Sequence, residues 1–176
     1  GLAYDRVLED RVLVEAGKSG TRRFRNRPFR VALHGVRFLW ARFRRRTKGF
    51  GTAAAGFGAP VHLRAHLAEG GTVESLGERL MAAIAAVVPV LPVPLVAKAL
   101  GEGAATREEL LGRVEALVLQ LKVAGAVLKL PPLGISAALD EGLAPLIRRG
   151  LVTEALQPVV AERALLDFYA ASVPEA

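Results

Sequence analysis

An uncharged run of eighteen residues, from Leu80 to Ala97, constrains the fold of this chain more than any other feature. Eighteen residues reach the lower limit for a helix that spans a lipid bilayer. Pro89, Pro92 and Pro94 interrupt the run, however, and proline inside a helix removes a backbone hydrogen bond and clashes with the preceding turn. We therefore interpret the run as two buried helical segments separated by a proline-rich break, and not as a transmembrane helix.

The charges are distributed unevenly along the chain. Residues 1–50 contain 14 Lys or Arg and 4 Asp or Glu, whereas residues 51–176 contain 10 and 13. Twelve basic residues and no acidic residue lie between Lys18 and Lys48. Such asymmetry predicts contact with an anionic surface, either lipid headgroups or nucleic acid. The chain has no cysteine, which excludes disulfides and thiolate metal sites and is compatible with a cytosolic compartment.

The basic segment contains a pattern typical of an amphipathic helix from Phe29 to about Arg46. Apolar residues recur at intervals of 4, 3, 4 and 3, at Phe29, Leu33, Val36, Trp40 and Phe43. Arg30, Arg37 and Arg44 follow the edge of that stripe every seven residues. An apolar aromatic face flanked by arginine is what an interfacial membrane helix needs. The same pattern also fits an ordinary helix that docks on the rest of the protein and leaves its arginines in water.

Local signals predict the remaining elements. The strand-like start should continue into a turn with Leu13 and Val14 extended, and a second, weak strand is expected within residues 49–63. Helices are expected from Thr72 to about Val88, from the capping box at Thr106, from Ser136 to a stop at Gly150, and from about Pro158. Pro145 should kink or split the third of these helices.

No complete catalytic constellation is visible in the sequence. His62 and His66 are four residues apart but lack the glutamate of a zinc-binding helix motif, so we expect no metal site and no cofactor. No histidine is followed by aspartate five positions later. The adjacent carboxylates Glu9 and Asp10 are expected to be solvated or to complement a helix dipole.

Several short motifs resemble the bacterial glycerol-3-phosphate acyltransferase family. The opening residues Gly1–Asp10, GLAYDRVLED, are similar to the segment that follows the fourth motif of that family, where a strand runs into G-Y-[DE]-x-V-x-E. Residues 56–67 resemble its F-G-E-P-I-x-L…Y-L, with Ala59 in place of the usual Glu. Thr106–Leu110 matches T-R-E-x-L, and Leu165–Tyr169 resembles the closing L-x-x-Y-Y. These motifs are colinear over nearly the whole chain.

The resemblance implies a specific activity for the family. Its members transfer a fatty acyl chain from acyl-carrier protein or acyl-CoA to glycerol 3-phosphate, in the first step of phospholipid synthesis at the cytoplasmic membrane surface. The family's His-x-x-x-x-Asp and Phe-Pro-Glu-Gly motifs are not in this chain. Because the chain starts at Gly1 and its only methionine is Met81, we expect a C-terminal fragment whose parent is an enzyme but which is inactive alone.

On this basis we expect a helix-dominated α/β fold. Residues 1–68 would form the end of an acyltransferase α/β domain, with short strands in the first third of the chain and the basic amphipathic helix, and residues 69–176 a helical C-terminal region. Gly1, Tyr4 and Asp5 would contribute to substrate binding. Membrane contact would involve Arg22, Arg23, Arg25, Arg27, Arg30, Arg37, Trp40 and Arg44.

The expected partners follow from the same resemblance. They are an acyl donor, glycerol 3-phosphate, an anionic membrane surface at the cytoplasmic face of the bacterial inner membrane, and the N-terminal part of the same polypeptide, but no nucleic acid. The alternative is a basic winged-helix-like nucleic-acid-binding module, because helix, loop, helix, Arg-Arg-Gly and a short strand follow one another from Thr106 to Val152. A structural or interaction domain without activity is a third interpretation.

Overall fold

The computed structural model of the chain describes residues 1–7, 10–19, 51–103 and 106–175. These residues form, in chain order, β1 (Leu2–Tyr4), α1 (Asp10–Ser19), β2 (Ala53–Ala55), α2 (Leu63–Ala68), α3 (Val73–Ala86), α4 (Pro92–Gly101), α5 (Arg107–Val123), α6 (Ile135–Arg148) and α7 (Arg163–Ala170), with a 3-10 turn at Val160–Glu162. The predicted helix-dominated fold, with its short strands in the first third of the chain, is confirmed. The predicted basic helix lies outside the described residues, as do all eight predicted membrane-contact residues.

The hydrophobic core is built around α4. This helix packs against α5, α6 and α7, and eight of its ten residues are buried. The core cluster extends from Val90 to Val173 and includes Leu110, Val114, Val118 and Leu121 on one side of α5. Helix α4 begins at Pro92, where proline is favourable because the first backbone N–H of a helix has no intrahelical partner. The second half of the uncharged run is therefore buried, as the sequence predicts.

The first half of that run forms the second half of α3 and the turn after it, and the prediction that it is buried was wrong. Helix α3 has no buried residue, and the side chain of Met81 is 67% exposed. Its last turn and the residues after it lie against the β1–β2 sheet, where Gly1 and Gly56 approach Val87 closely. Apolar periodicity predicts the helix correctly but cannot show what covers its apolar stripe. Among the described helices, none is long and apolar enough to cross a membrane.

Local capping signals are reproduced in the structure. The backbone N–H of Glu109 donates to Thr106 Oγ1 at 3.2 Å, and the N–H of Thr106 donates to Glu109 Oε2 at 2.9 Å. This reciprocal pair is the capping box predicted at the start of α5. Thr72 caps α3 in the same way, with Ser75 as its partner.

Two further expectations were wrong. Leu13 and Val14 lie in α1 and not in an extended segment, because Val14 packs against the core and tertiary contact overrides the β-preference of a branched residue. Helix α6 starts at Ile135, directly after Gly134, whose φ of 95° suits glycine, so Ser136 lies inside the first turn and does not mark the start. The helix continues through Pro145, so it is not split there. Proline there leaves the carbonyl of Glu141 without a helical donor, and Glu141 is exposed to water.

Candidate functional site

The three predicted substrate-binding residues lie on β1 or directly beside it. The strands pair antiparallel, with Leu2 opposite Ala55 and Tyr4 opposite Ala53. The amino group of Gly1 donates to the carbonyl oxygen of Gly56 at 2.9 Å, and the N–H of Gly56 donates back to the carbonyl of Gly1 at 2.8 Å. Because alternate residues of a strand share a face, Leu2 and Tyr4 are exposed on one side of this sheet.

The carboxylate of Asp5 connects the sheet to the helical core. Asp5 is buried, and its Oδ2 accepts a hydrogen bond from the backbone N–H of Thr52 at 2.9 Å. Its Oδ1 accepts from the N–H of Val93 in the first turn of α4 at 3.3 Å. Leu91, the residue before that helix, has no side-chain oxygen to cap it. Asp5 supplies the missing acceptor from a distant part of the chain, and its negative charge complements the helix dipole.

A buried polar network holds α1 against α6 and α7. The carboxylate of Asp10, which is 2% exposed, accepts hydrogen bonds from the Arg149 guanidinium and the Tyr169 hydroxyl. Arg149 Nη1 also donates to Tyr169 Oη at 2.8 Å, and the backbone N–H of Val7 donates to the same oxygen at 3.3 Å. We call Asp10, Arg149 and Tyr169 the Asp10 network. Its three side chains satisfy one another's hydrogen-bonding groups, which makes it a strong structural connection.

The environment of this network shifts two pKa values. Burial raises the pKa of Tyr169, and its hydrogen bond to Asp10 adds to the increase. Burial by itself lowers the pKa of Arg149, but the hydrogen bond to Asp10 and the contacts with Tyr169 outweigh it and raise the pKa overall. Tyr169 is therefore neutral and Arg149 charged over the whole physiological range.

We expect the Asp10 network to make the protein sensitive to high pH. Because the pKa of Tyr169 is higher in the folded than in the unfolded state, its contribution to stability is complete below the unfolded pKa near 10 and is lost as pH rises above that value. Urea unfolding at increasing alkaline pH should show this loss. Tyr169→Phe should be less stable at neutral pH but should lose less stability on the alkaline side. An equal alkaline loss in both proteins would contradict the assignment.

No local pattern in the sequence indicates this network. The sequence leads us to expect a solvated Asp10, whereas Asp10 is buried and paired with residues 139 and 159 positions away. The sequence does place Tyr169 correctly in the last helix and Arg149 at the end of α6. Only the fold brings them to Asp10.

The two neighbouring histidines have different environments. His62 is exposed and precedes α2, whereas His66 is buried, with Nε2 at 3.1 Å from both Thr72 O and Ser75 Oγ. A Cβ at Gly71 would lie 2.2 Å from that nitrogen, so the ring fills the space beside this glycine. His66 therefore connects α2 to the start of α3. No group of three potential metal ligands occurs within the part of the chain that the structure describes.

Exposed large apolar side chains are concentrated in the first half of the described chain. Nine of the fifteen that the structure shows lie on β1, α2, α3 or the loop after β2, and Phe57 is 93% exposed. We call these nine the N-terminal apolar surface: Leu2, Tyr4, Phe57, Leu63, Leu67, Val73, Leu80, Met81 and Ile84. Large exposed apolar areas on a protein surface are typical of interaction sites.

The glycines of the β1–β2 sheet set how closely it approaches α3, and Gly56→Ala should disturb this packing. A Cβ at residue 56 would lie 1.9 Å from the carbonyl oxygen of Val87, which is backbone and cannot simply rotate away. Overpacking of this kind costs about 1–3 kcal/mol. Amide hydrogen exchange at Asp5 and at residue 56 should become roughly tenfold faster or more.

Gly77→Ala is the matched control for that variant. Gly77 lies within α3, and a Cβ added there would meet no neighbouring side chain or element within 4 Å. Alanine there should stabilise the helix by about 0.5–1 kcal/mol and leave exchange in the sheet unchanged or slower. Equal exchange rates in Gly56→Ala and the parent chain would show that the close approach is unimportant.

The alternative nucleic-acid module finds little support in the geometry. Helix α6, which would be its recognition helix, presents Glu141 to solvent, where a carboxylate repels phosphates. Arg107 is paired with Asp140 and so is already neutralised.

Comparison with known families identifies the chain. The family model described as glycerol-3-phosphate acyltransferase C-terminal region matches residues 37–171, about three quarters of the chain. Comparison with curated proteins and with solved structures returned no match. The match includes β2 and α2 to α7, and three of the four motifs that carry the resemblance lie within it. The chain belongs to the family of the glycerol-3-phosphate acyltransferase C-terminal region.

Proposed function

We propose that this chain is the C-terminal portion of a glycerol-3-phosphate acyltransferase, an enzyme that transfers a fatty acyl group from acyl-carrier protein or acyl-CoA to glycerol 3-phosphate in phospholipid synthesis. The observation that carries the proposal is the family match over residues 37–171. The colinear motifs from Gly1 to Tyr169 support it. An acyl donor, glycerol 3-phosphate and the N-terminal part of the same polypeptide are the partners that this role requires.

The proposed contribution of the chain is structural, since it lacks the His-x-x-x-x-Asp motif that supplies the general base of the family. Residues 90–173 enclose their own core, whereas the N-terminal apolar surface remains exposed. Such a surface is typical of an interaction site, and we propose that it packs against the acyltransferase catalytic domain. Residues 1–68 would complete that α/β domain, and residues 69–176 would form the helical region.

The three proposed substrate-side residues differ in what they can do. Both carboxylate oxygens of Asp5 accept backbone hydrogen bonds, so we propose that Asp5 positions β1 and does not itself bind phosphate. Gly1 is hydrogen-bonded to Gly56, and we propose that its lack of a side chain lets β1 approach the end of α3 closely. Tyr4 is half-exposed, and we propose it as the side chain able to reach glycerol 3-phosphate.

The proposed location is the cytoplasmic face of the bacterial inner membrane, where the protein would be peripheral. The support is the basic composition between Lys18 and Lys48. Each basic residue near an anionic surface contributes about 1 kcal/mol of attraction before screening. Arg22, Arg23, Arg25, Arg27, Arg30, Arg37, Trp40 and Arg44 remain the proposed contacts.

An acyl-transfer assay tests the proposed function. The chain would be incubated with labelled glycerol 3-phosphate and palmitoyl-CoA or palmitoyl-acyl-carrier protein, alone and with a polypeptide that contains the family's His-x-x-x-x-Asp and Phe-Pro-Glu-Gly motifs. We expect no product from the chain alone and a clear increase over the catalytic polypeptide alone when the two are combined. Product from the chain alone, or no increase on mixing, would refute the proposal.

Variants of the N-terminal apolar surface test whether this surface is needed for the increase in acyl transfer on mixing. Leu80→Ser combined with Ile84→Ser changes two exposed side chains on one stripe of α3 and should abolish most of the increase. Val160→Ser, at a 90% exposed residue outside that surface, is the matched control and should retain it.

A further inference from the structure

A second group of exposed apolar side chains, none of them in the N-terminal apolar surface, lies in the second half of the chain. It consists of side chains from the last turns of α5 and from the loop that follows. Val123 is 83% exposed and Leu133 is 87% exposed, both large fractions for apolar residues. We call this group the α5 end patch, and its members are Leu119, Lys122, Val123, Val127, Lys129 and Leu133.

Helix geometry directs the patch away from the core. Leu119 and Val123 are four residues apart and share a face of α5, whereas Val118 and Leu121 are buried against α4 and its neighbours. With about 100° between successive residues, the exposed pair lies on the side of the helix away from the buried pair. Packing within the described part of the chain therefore leaves these side chains uncovered.

Backbone hydrogen bonds hold the loop part of the patch in place. Helix α5 ends before Gly125, whose φ of 74° turns the chain. The N–H of Val90 then donates to the carbonyl of Val127 at 2.7 Å, and the N–H of Lys129 donates to the carbonyl of Val90 at 2.9 Å. This parallel bridge attaches the segment to the core residues before α4. The apolar side chains are thus presented from an ordered backbone.

Within the segment of the sequence that carries the patch, every charged side chain is basic. From Ala116 to Leu139, twenty-four residues, the only charged side chains in the sequence are Lys122 and Lys129, and both are exposed. The carboxylates of α5 lie in its first half, at Glu108, Glu109 and Glu115. The first half of α5 therefore carries both signs of charge, with Arg107 and Arg113 beside these carboxylates, whereas its last turns are apolar with a single lysine, Lys122.

We infer that the α5 end patch is a docking surface for an anionic lipid bilayer. Exposed leucine and valine side chains can enter the headgroup boundary, while the two lysines keep their ammonium groups at the level of the lipid phosphates. A negatively charged bilayer satisfies both the apolar and the basic character of the patch, and a protein partner would require an acidic, apolar groove of matching shape. The patch shares no residue with the basic segment between Lys18 and Lys48, and the inference does not depend on the acyltransferase activity.

Site-specific fluorescence tests this inference on the full chain, which contains no cysteine. Val123→Cys, labelled with the environment-sensitive dye NBD, would be mixed with vesicles of phosphatidylcholine alone or of phosphatidylcholine and phosphatidylglycerol. Val160→Cys, at an exposed valine near α7, is the matched control. We expect a blue shift and protection from an aqueous quencher at position 123 with the anionic vesicles only, and neither effect at position 160.

Other outcomes overturn the inference. No response at position 123, or the same response at both positions, would show that the patch does not contact lipid. A blue shift at position 123 that depends on protein concentration and not on vesicles would show that a second copy of the chain covers the patch. Circular dichroism of both labelled variants would establish that they are folded as the parent chain is.

Charge variants provide a second readout by vesicle co-sedimentation. Lys122→Gln and Lys129→Gln should each weaken partitioning onto the anionic vesicles by about fivefold. Arg64→Gln, an exposed basic residue of α2, removes the same charge elsewhere and should change partitioning less. Equal reductions in all three variants would mean that net charge alone governs binding, which would contradict a defined docking surface.

Discussion

Replacing Asp10 with alanine should lower the free energy of unfolding by about 3 kcal/mol, because it leaves the Arg149 guanidinium without its carboxylate partner in a largely buried position. Arg149 remains 19% exposed, so water can moderate the cost and the low end of the range for broken buried pairs applies. The hydroxyl of Tyr169 would lose its acceptor at the same time. Urea unfolding followed by circular dichroism measures the difference.

Two variants make this expectation specific. Asp140→Ala breaks the exposed pair between Arg107 and Asp140 and should cost less than about 1 kcal/mol, since exposed ion pairs contribute little. Asp10→Ala combined with Arg149→Met removes both buried charges and should recover part of the loss. If Asp10→Ala and Asp140→Ala cost the same, the Asp10 network does not stabilise the fold as described.

Gly142→Ala should lower the free energy of unfolding about as much as Asp10→Ala does. Gly142 is buried in α6 where this helix crosses α4, and a Cβ there would lie 2.6 Å from the carbonyl oxygen of Pro92 and 2.5 Å from Val96 Cγ2. The side chain of Val96 can rotate, but the backbone of Pro92 cannot move unless the two helices separate. We expect Gly142→Ala to destabilise the chain by about 3 kcal/mol in urea unfolding.

Gly112→Ala is the control for this close crossing. Gly112 is an exposed glycine within α5, and a Cβ added there would meet no neighbouring side chain or element within 4 Å. Alanine should stabilise that helix by up to about 1 kcal/mol, because it restricts the unfolded backbone and favours the helical state. Both variants add the same methyl group within a helix. Opposite changes in the free energy of unfolding would therefore show that the loss in Gly142→Ala comes from the contact between α4 and α6. A stabilising effect at residue 142 would contradict the packing.

Helix starts were predictable from the sequence where the signal is local. Thr72 and the capping box at Thr106 act over three residues, and Pro92 is suited to the first turn of α4. The core face of α5 follows from the spacing of its apolar residues alone. These features depend on backbone groups and side chains that are neighbours in the chain, so sequence patterns describe them well.

The errors arose where distant residues decide the outcome. Asp5 is hydrogen-bonded to Val93, 88 positions away, and Asp10 to Tyr169, 159 positions away. No local sequence pattern encodes such pairs. The valines of α1 favour an extended segment unless the contact of Val14 with the core is known. The apolar stripe of α3 predicts a buried helix equally well whether the covering partner is this chain or another polypeptide. The candidate site was therefore only partly predictable.

Hydrogen exchange tests most directly the central claim that the N-terminal apolar surface joins an acyltransferase catalytic domain. Exchange would be compared for the chain alone and with the polypeptide that contains the His-x-x-x-x-Asp and Phe-Pro-Glu-Gly motifs. We predict slower exchange at residues 2–5, 53–56, 63–68 and 73–86, and unchanged exchange at residues 107–121 of α5. Unchanged exchange at all four of the first segments, or protection confined to α5, would contradict the claim.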